Sequence, residues 1–556
     1  MKTKRNPLYL TLFLLFTLTQ SGCNRYEAEP INIRTIDDVF DEMDINGFFA
    51  DQALNHIYTY LPNGYNRITS NTFLDVATDD AIFSRVGHNS EILSQARQSP
   101  VQLLDDIWED SYVGLRRINI FLSKIDRVPM EEEIITRWKA EARFIRAMIY
   151  FELIKRYGGV PLLRDRILSL DDDLNIPRDS YEECVQFIVD ECDALKDILP
   201  VDPNIASNNP FIGRIYRGAA YALKSRTLLY AASPLHNPTN DMQKWQAAFD
   251  AAEDMIGLDH YALLGNRINL FLQRHNVEVI LAYQRMQSSD IERNHAPVGY
   301  SAPNASAGLT SPTQNLVDAF PMRNGLPITD PLSGYNPDNP YNNRDLRLTQ
   351  TVFHNGVNWL NRAVETFDGG RDRPGGVITQ TRTGYYLRKF MGAFETNTDY
   401  ANTHHNFVIF RYAEILLNYA EAANELSHTN PALRTVAYNQ LLAIRARQSV
   451  VSGTTRGLKA NMTQEEMRTA IQLERRLEFA FEEHRFWDVR RWKIAETEFN
   501  KTLTGMRITR TGTNYTYTVE PVSSISFAAP QMYLYPIPLA EVLKNDAMVQ
   551  NPGWQQ

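Results

Sequence analysis

Two stretches of the sequence set aromatic rings beside amides and acids. One carries Tyr65, Asn66, Asn71, Asp80 and Phe83; the other carries Tyr300, Asn304, Tyr335, Tyr341 and Trp359 beside Asn358. A ring offers a broad apolar face, and the amides and acids offer hydrogen bonds around it. Apolar contact area with a few placed polar groups suits a small polar ligand. A sugar, with its C–H face and hydroxyl rim, matches that chemistry. The same rings are equally suited to pinning long loops onto a scaffold. Arg323, Arg344, Arg362, Arg371 and Arg373 lie among Asp330, Asp338, Asp345, Asp368 and Asp372, so charge does not choose between a neutral and an anionic ligand.

Catalytic patterns are weak by comparison. His404 and His405 are adjacent, and neighbours on a strand point to opposite faces, which makes a poor metal pair. Glu482-Glu483-His484 lacks the i, i+4 histidine pair of zinc proteases. Asp79-Asp80 is a chance-level carboxylate pair, since glycosidases are defined by a spatial separation. Asp171-Asp172-Asp173 reads as a solvated turn, with weak calcium binding conceivable. No G-x-S-x-G, Walker A or dinucleotide fingerprint occurs. These observations predict no catalytic residues, no metal and no cofactor.

The elements that must position such residues are mainly helical. Phe144, Ala147, Met148 and Phe151 follow the i, i+3, i+4, i+7 spacing of one apolar face, with Arg143 and Arg146 off that stripe. Tyr216, Ala219, Ala220 and Leu223 repeat the spacing, as do Tyr412, Ile415, Leu416 and Tyr419. Leu473, Leu477, Ala480 and Phe481 give another stripe. Ser180 with Glu183 and Thr463 with Glu466 are capping boxes, and Gly158-Gly159 before Pro161 stops a helix. Alanines at 219, 220, 222, 420, 422 and 423 permit close helix approach, as in tetratricopeptide-type pairs. Scaffold helices are expected at about 36–60, 89–284 and 405–500. Loop-rich excursions are expected at about 61–88 and 285–404, with a short β-type run at Thr349–Phe353 in the second.

The chain has 556 residues, 43% hydrophobic and 22% charged, with a net charge of −9. This is the balance of a globular protein with a large core, and it lacks the basic surface that nucleic acid requires. Its start is different. Lys2, Lys4 and Arg5 precede an apolar run from Leu8 to Leu18, and Ser21-Gly22-Cys23 follows. About 11 apolar residues are too few to span a bilayer, which takes about 20. The layout predicts a signal peptide over 1–22, with Cys23 as the lipidated N-terminus of a single module over 23–556. Gln20 departs from the apolar residue usual in such lipoprotein sites. Cys184 and Cys192 share a helix about 12 Å apart, beyond the about 7 Å a disulfide tolerates.

Several motifs, in one order, resemble the SusD/RagB family. They are Glu141–Ala147 running on to Tyr157–Leu162, Arg411–Ala422, Glu474–Trp492, Tyr535–Pro538 and Gln550–Trp554. Asn343–Arg347 and Gly384–Lys389 match more weakly. The resemblance implies a mostly α, SusD-like fold, with four tetratricopeptide-like helix pairs supporting an irregular ligand-binding half. It implies a lipoprotein anchored in the outer membrane, facing outward and carrying no catalytic residues. It would capture oligo- or polysaccharide for a TonB-dependent, SusC-like transporter. Peptide uptake is the alternative within the family, and a surface glycoside hydrolase the alternative outside it. Glu474, Arg475, Arg476, Arg490 and Arg491 then read as an ion-pair network of the scaffold.

Overall fold

The computed structural model describes residues 39–69, 71–202, 212–298, 308–375, 380–392, 403–447 and 451–554. Its principal helices are α1 (Phe48–Ile57), α2 (Trp108–Lys124), α3 (Glu132–Tyr157), α4 (Tyr181–Leu195) and α5 (Arg217–Ala232). They continue with α6 (Met242–Ile256), α7 (Tyr412–Leu426), α8 (Leu433–Ala446), α9 (Gln464–Glu478) and α10 (His484–Arg491). From α2 to α8 each helix packs on the next, and α9 packs on both α7 and α8. The order is that of stacked pairs: α2–α3, α4–α5, α6–α7 and α8–α9.

Local chemistry sets the helix ends. Ser180 Oγ accepts from the Glu183 amide at 3.2 Å, and Glu183 Oε2 accepts from the Ser180 amide at 2.8 Å. Thr463 and Glu466 repeat the arrangement at α9. α3 stops at Gly158, whose φ of 73° favours glycine. At Gly159 a Cβ would stand 2.1 Å from the Asp179 carbonyl oxygen, so the chain behind α3 can close only over a glycine. The alanines expected at close approaches, Ala219, Ala220, Ala222, Ala420, Ala422 and Ala423, are fully buried. Cys184 and Cys192 lie on one unbroken helix, both buried and unpaired.

Arg143 and Arg146 lie off the apolar stripe of α3, yet Arg146 is buried, and both side chains reach Glu191 of α4. α3 is covered by α2, α4 and α5, so one apolar stripe cannot describe it. The run Thr349–Phe353 is not a strand throughout. Asp345 caps a short helix over Leu346–Thr351 by accepting from the Arg347 amide, leaving only Val352–Phe353 extended.

The strands are short: β1 (Ala81–Phe83), β2 (Val279–Tyr283), β3 (Thr310–Pro312), β4 (Val352–Phe353) and β5 (Asn358–Trp359). β6 (Arg362–Ala363), β7 (Tyr386–Leu387) and β8 (Phe407–Arg411) precede a long hairpin of β9 (Lys501–Thr511) and β10 (Asn514–Ile525). β2 pairs antiparallel with β8, so the second excursion leaves and re-enters the helical stack through one clasp. Among the described residues, no helix is long and apolar enough to cross a membrane.

Candidate functional site

The two excursions meet. β1 pairs antiparallel with β3, matching Ala81 to Pro312 and Phe83 to Thr310. Ser84 extends the contact, its amide donating to the Leu309 carbonyl at 2.9 Å and its hydroxyl to the Gly308 carbonyl. Just beyond β1 a groove of about 1010 Å³ opens. Ser84, Arg85 and Val86 form one side; Asp368, Pro374, Gly375, Gln380 and Arg382 form the second. Gly505, Arg507, Glu520 and Val522 of the β9–β10 hairpin supply the third. Val86 is 78% exposed at the rim. Arg382 fixes the wall by donating to the carbonyls of Phe83 at 3.3 Å and Val522 at 3.0 Å. Arg507 Nε lies 3.1 Å from Asp368 Oδ2. Arginines and acids again share the surface, so the groove too leaves the ligand's charge open.

Of the five rings expected to hold ligand that lie among the described residues, three are enclosed. Tyr65 is 2% exposed, packed edge-on against Phe73, Phe390 and Phe407, with its phenol donating to the Asn406 carbonyl. Phe83 is buried and stacks on His88 at 3.7 Å. Trp359 is buried beside Phe353, its indole N–H donating to Gly392 at 2.8 Å. These rings fasten the excursions to the scaffold and present no open face. Asp80 is also withdrawn from the surface, fully buried and paired with Arg476. Asn71 is half-buried in a left-handed turn closed by Asn66. Tyr335 and Tyr341 remain half-buried, whereas Tyr300 and Asn304, like Cys23, lie outside the described residues.

Buried charge locks the excursions in place. Arg411 bonds Glu278 and Glu478 at 2.9 Å each and Glu482 at 2.7 Å. Arg347 joins Asp345 to Glu474, and Lys389 donates to Glu482 and to the carbonyls of Glu478 and Ala480. Burial raises the Glu478 carboxyl, but Arg267, Arg447, Arg411 and Arg347 outweigh it and hold that group well below its ordinary range. For Asp79, burial is likewise outweighed by Arg476, Arg485 and Lys501, which hold it low. Breaking such pairs leaves an uncompensated charge, which costs more than the pair contributes. Glu474, Arg475, Arg476 and Arg491 all join ion pairs. Arg490 does not among the described residues: its guanidinium lies 3.5 Å over Phe486 and near Phe527, and burial lowers its pKa to about 10. The paired histidines divide similarly, His405 bonding Glu292 and His404 the Arg285 carbonyl. Among the described residues, no group of three or more His, Cys, Asp or Glu is placed to hold a metal.

The hairpin carries a row of rings that the sequence reading passed over. Tyr515 and Tyr517, half-buried, alternate with exposed Asn514, Thr516 and Thr518. Cross-strand pairing sets Tyr517 beside Ile508 and Tyr515 beside Arg510, on the face opposite Gly505 and Glu520. Tyr517 meets Tyr341 edge-on at 5.8 Å, and Tyr341 stacks on His354 at 4.0 Å. Tyr515 packs on Phe367 at 5.6 Å. The hairpin thus stands as a partition, with a polar groove on one side and an aromatic row on the other. Its period-two alternation after Gly512 was the available signal.

The SusD family profile matches residues 277–554, half of the chain. The chain belongs to the SusD family. A second profile, described as starch-binding and associating with the outer membrane, matches residues 39–229 of this SusD-family chain. A SusD-like protein of Formosa agariphila is 22% identical over 570 residues, covering 98% of this chain and 99% of its own. Another from that organism is 25% identical over 397 residues, covering 69% of this chain and 71% of its own. The solved structure of a SusD-like protein from Bacteroides fragilis has a TM-score of 0.76 at 27% identity, covering 94% of this chain and 100% of that one. A laminarin-binding SusD-like protein shares the fold at 22% identity and a TM-score of 0.64, covering 91% of this chain and 99% of that one. The expected family and the expected mostly α, SusD-like fold are both correct.

Proposed function

We propose that this SusD-family chain is a non-catalytic glycan receptor at the cell surface. It captures an oligo- or polysaccharide on its loop-rich half and hands it to a TonB-dependent outer-membrane transporter. Cys23 would carry the acyl chains that hold it to the outer membrane, and two or more chains give stable anchoring where one is marginal. The observation that carries this reading is the union of the excursions. β1 and β3, far apart in sequence, are hydrogen-bonded into one surface beside an open groove of about 1010 Å³. That volume suits a ligand of several sugar units, since ligand pockets run from about 300 to 1,000 Å³. Support also comes from solved neighbours titled as a carbohydrate binding protein and as laminarin binding. Arg85 and Gln380 are the proposed contacts at the groove; Asn71 and Tyr335 on the excursions, and Tyr341 on the far face of the hairpin, are retained as further proposed contacts. Tyr300 and Asn304 are retained as proposals.

The test is calorimetric titration of the mature chain with laminarin, starch, xylan and arabinogalactan, in parallel with mixed oligopeptides. Binding of one polysaccharide, weakened at least several-fold by Arg85→Ala and Gln380→Ala, supports the reading. Binding of peptides alone would replace it with peptide uptake. Product release from any polysaccharide would replace it with a hydrolase.

A further inference from the structure

The aromatic row on the far side of the hairpin has no role in the groove, and it is costly to leave half in water. Tyr515 and Tyr517 project from the same face of β10 and lie 6.5 Å apart. Phe367 at one end and Tyr341 at the other extend the line, at 5.6 and 5.8 Å. Each tyrosine packs one side against the core and leaves the other half-open. Exposed Arg510 closes the end of the row, its guanidinium 5.2 Å from the Phe367 ring and 5.8 Å from Tyr515. Its Nε donates to the Gly512 carbonyl at 2.9 Å, which anchors the guanidinium at the hairpin turn. The Tyr517 ring is set against Tyr341 at 5.8 Å and lies beside Ile508 of β9.

Rings in a line, closed at one end by Arg510 on the same face of the hairpin, fit a chain whose units each offer an apolar face and hydroxyl edges. We infer that this row is a second glycan-binding surface, in which Tyr515 and Tyr517 stack on successive sugar rings and Arg510 meets their hydroxyl or carboxyl groups. The inference rests on the glycan-receptor reading and adds to it a ligand long enough to occupy both faces of the hairpin. The two surfaces are neighbours through Phe367 and Asp368: the first belongs to the row, and the second bonds Arg507 in the groove wall. A polymer engaging both gains from effective concentration, and a short oligosaccharide does not.

The experiment compares the polysaccharide bound best among laminarin, starch, xylan and arabinogalactan with its own tetrasaccharide, by calorimetry. The proteins are the wild-type chain, Y515A/Y517A and Y515F/Y517F. The wild type is expected to favour the polymer, per chain end corrected for length. Y515A/Y517A should lose about tenfold of polymer affinity, the scale of two ring contacts, while its tetrasaccharide affinity stays put. Y515F/Y517F should bind as the wild type does. Should the double alanine variant melt early, Y515A alone, at the outer end of the hairpin, takes its place with about a threefold loss expected. Equal polymer affinity in folded wild-type and alanine variants overturns the second surface and leaves the groove reading intact. A wild-type chain that binds no polysaccharide overturns both.

Discussion

Arg476 Nη2 lies 2.6 Å from Asp80 Oδ1, tying the last turn of α9 to the residue that precedes β1. The same guanidinium reaches Asp79 at 3.0 Å. The first excursion therefore owes its position to a charge delivered by the last helix pair. Arg476→Met would leave Asp80 buried with no direct cation and weaken the hold on Asp79. The expected loss of stability is about 3–5 kcal/mol, the usual result of breaking a buried pair from one side. Urea unfolding measures it, and a loss below about 1 kcal/mol would mean the pair is idle.

The enclosed rings should behave as core. Tyr65→Ala and Trp359→Ala are each expected to cost about 3–5 kcal/mol through lost burial and cavity formation. Polysaccharide affinity of the protein that remains folded should be unchanged. A variant of normal stability with lost binding would restore these residues to the ligand surface.

Stability should also vary with pH through His354. Burial lowers its pKa from 6.5 to about 4. Between those values the unfolded chain takes up a proton that the folded chain refuses, so stability falls as pH drops from 6.5 towards 4. The contribution is on the order of 3 kcal/mol, from a shift of about two and a half units. In His354→Gln that part of the acid loss should vanish, leaving a flatter curve in denaturation series across this window. An unchanged slope would show that His354 titrates alike in both states.

Gly159 offers a steric check. A methyl group there would press on the Asp179 carbonyl from 2.1 Å, and backbone cannot swing aside as a side chain can. Gly159→Ala should lower the melting temperature by several degrees, as a strained core change of about 1–3 kcal/mol does. Gly87→Ala, in open space but at a φ of 75°, separates backbone strain from crowding.

What could be read from the sequence was whatever local chemistry decides. Ser180 with Glu183 and Thr463 with Glu466 mark helix starts because their bonds close within three residues. The alanines of α5 and α7 announce close packing because nothing larger fits. Whether a loop aromatic faces water is decided elsewhere. Tyr65 and Tyr335 sit in the same local sequence, Gly-Tyr-Asn, yet the first is enclosed by Phe73, Phe390 and Phe407 and the second is half-buried. Asp80 looked available because its partner, Arg476, is distant in sequence. The burial of Arg146, off the apolar stripe, was not legible because periodicity describes a helix with one covered side, and α3 is covered on several. Tyr515 and Tyr517 were legible in principle, since their alternation with Asn514, Thr516 and Thr518 is a strand signature that the helical bias of the preceding region obscured.

The β2–β8 clasp has a consequence for how such a chain can change. Everything between Tyr283 and Phe407 enters and exits at adjacent strands, while α6 and α7 on either side remain stacking neighbours. Because closing a longer loop between fixed ends adds little free energy, the intervening stretch behaves as an exchangeable cartridge. Provided Arg347 and Lys389 keep their pairs with Glu474 and Glu482, it can be lengthened, shortened or rewritten while the helical frame beneath it keeps its shape.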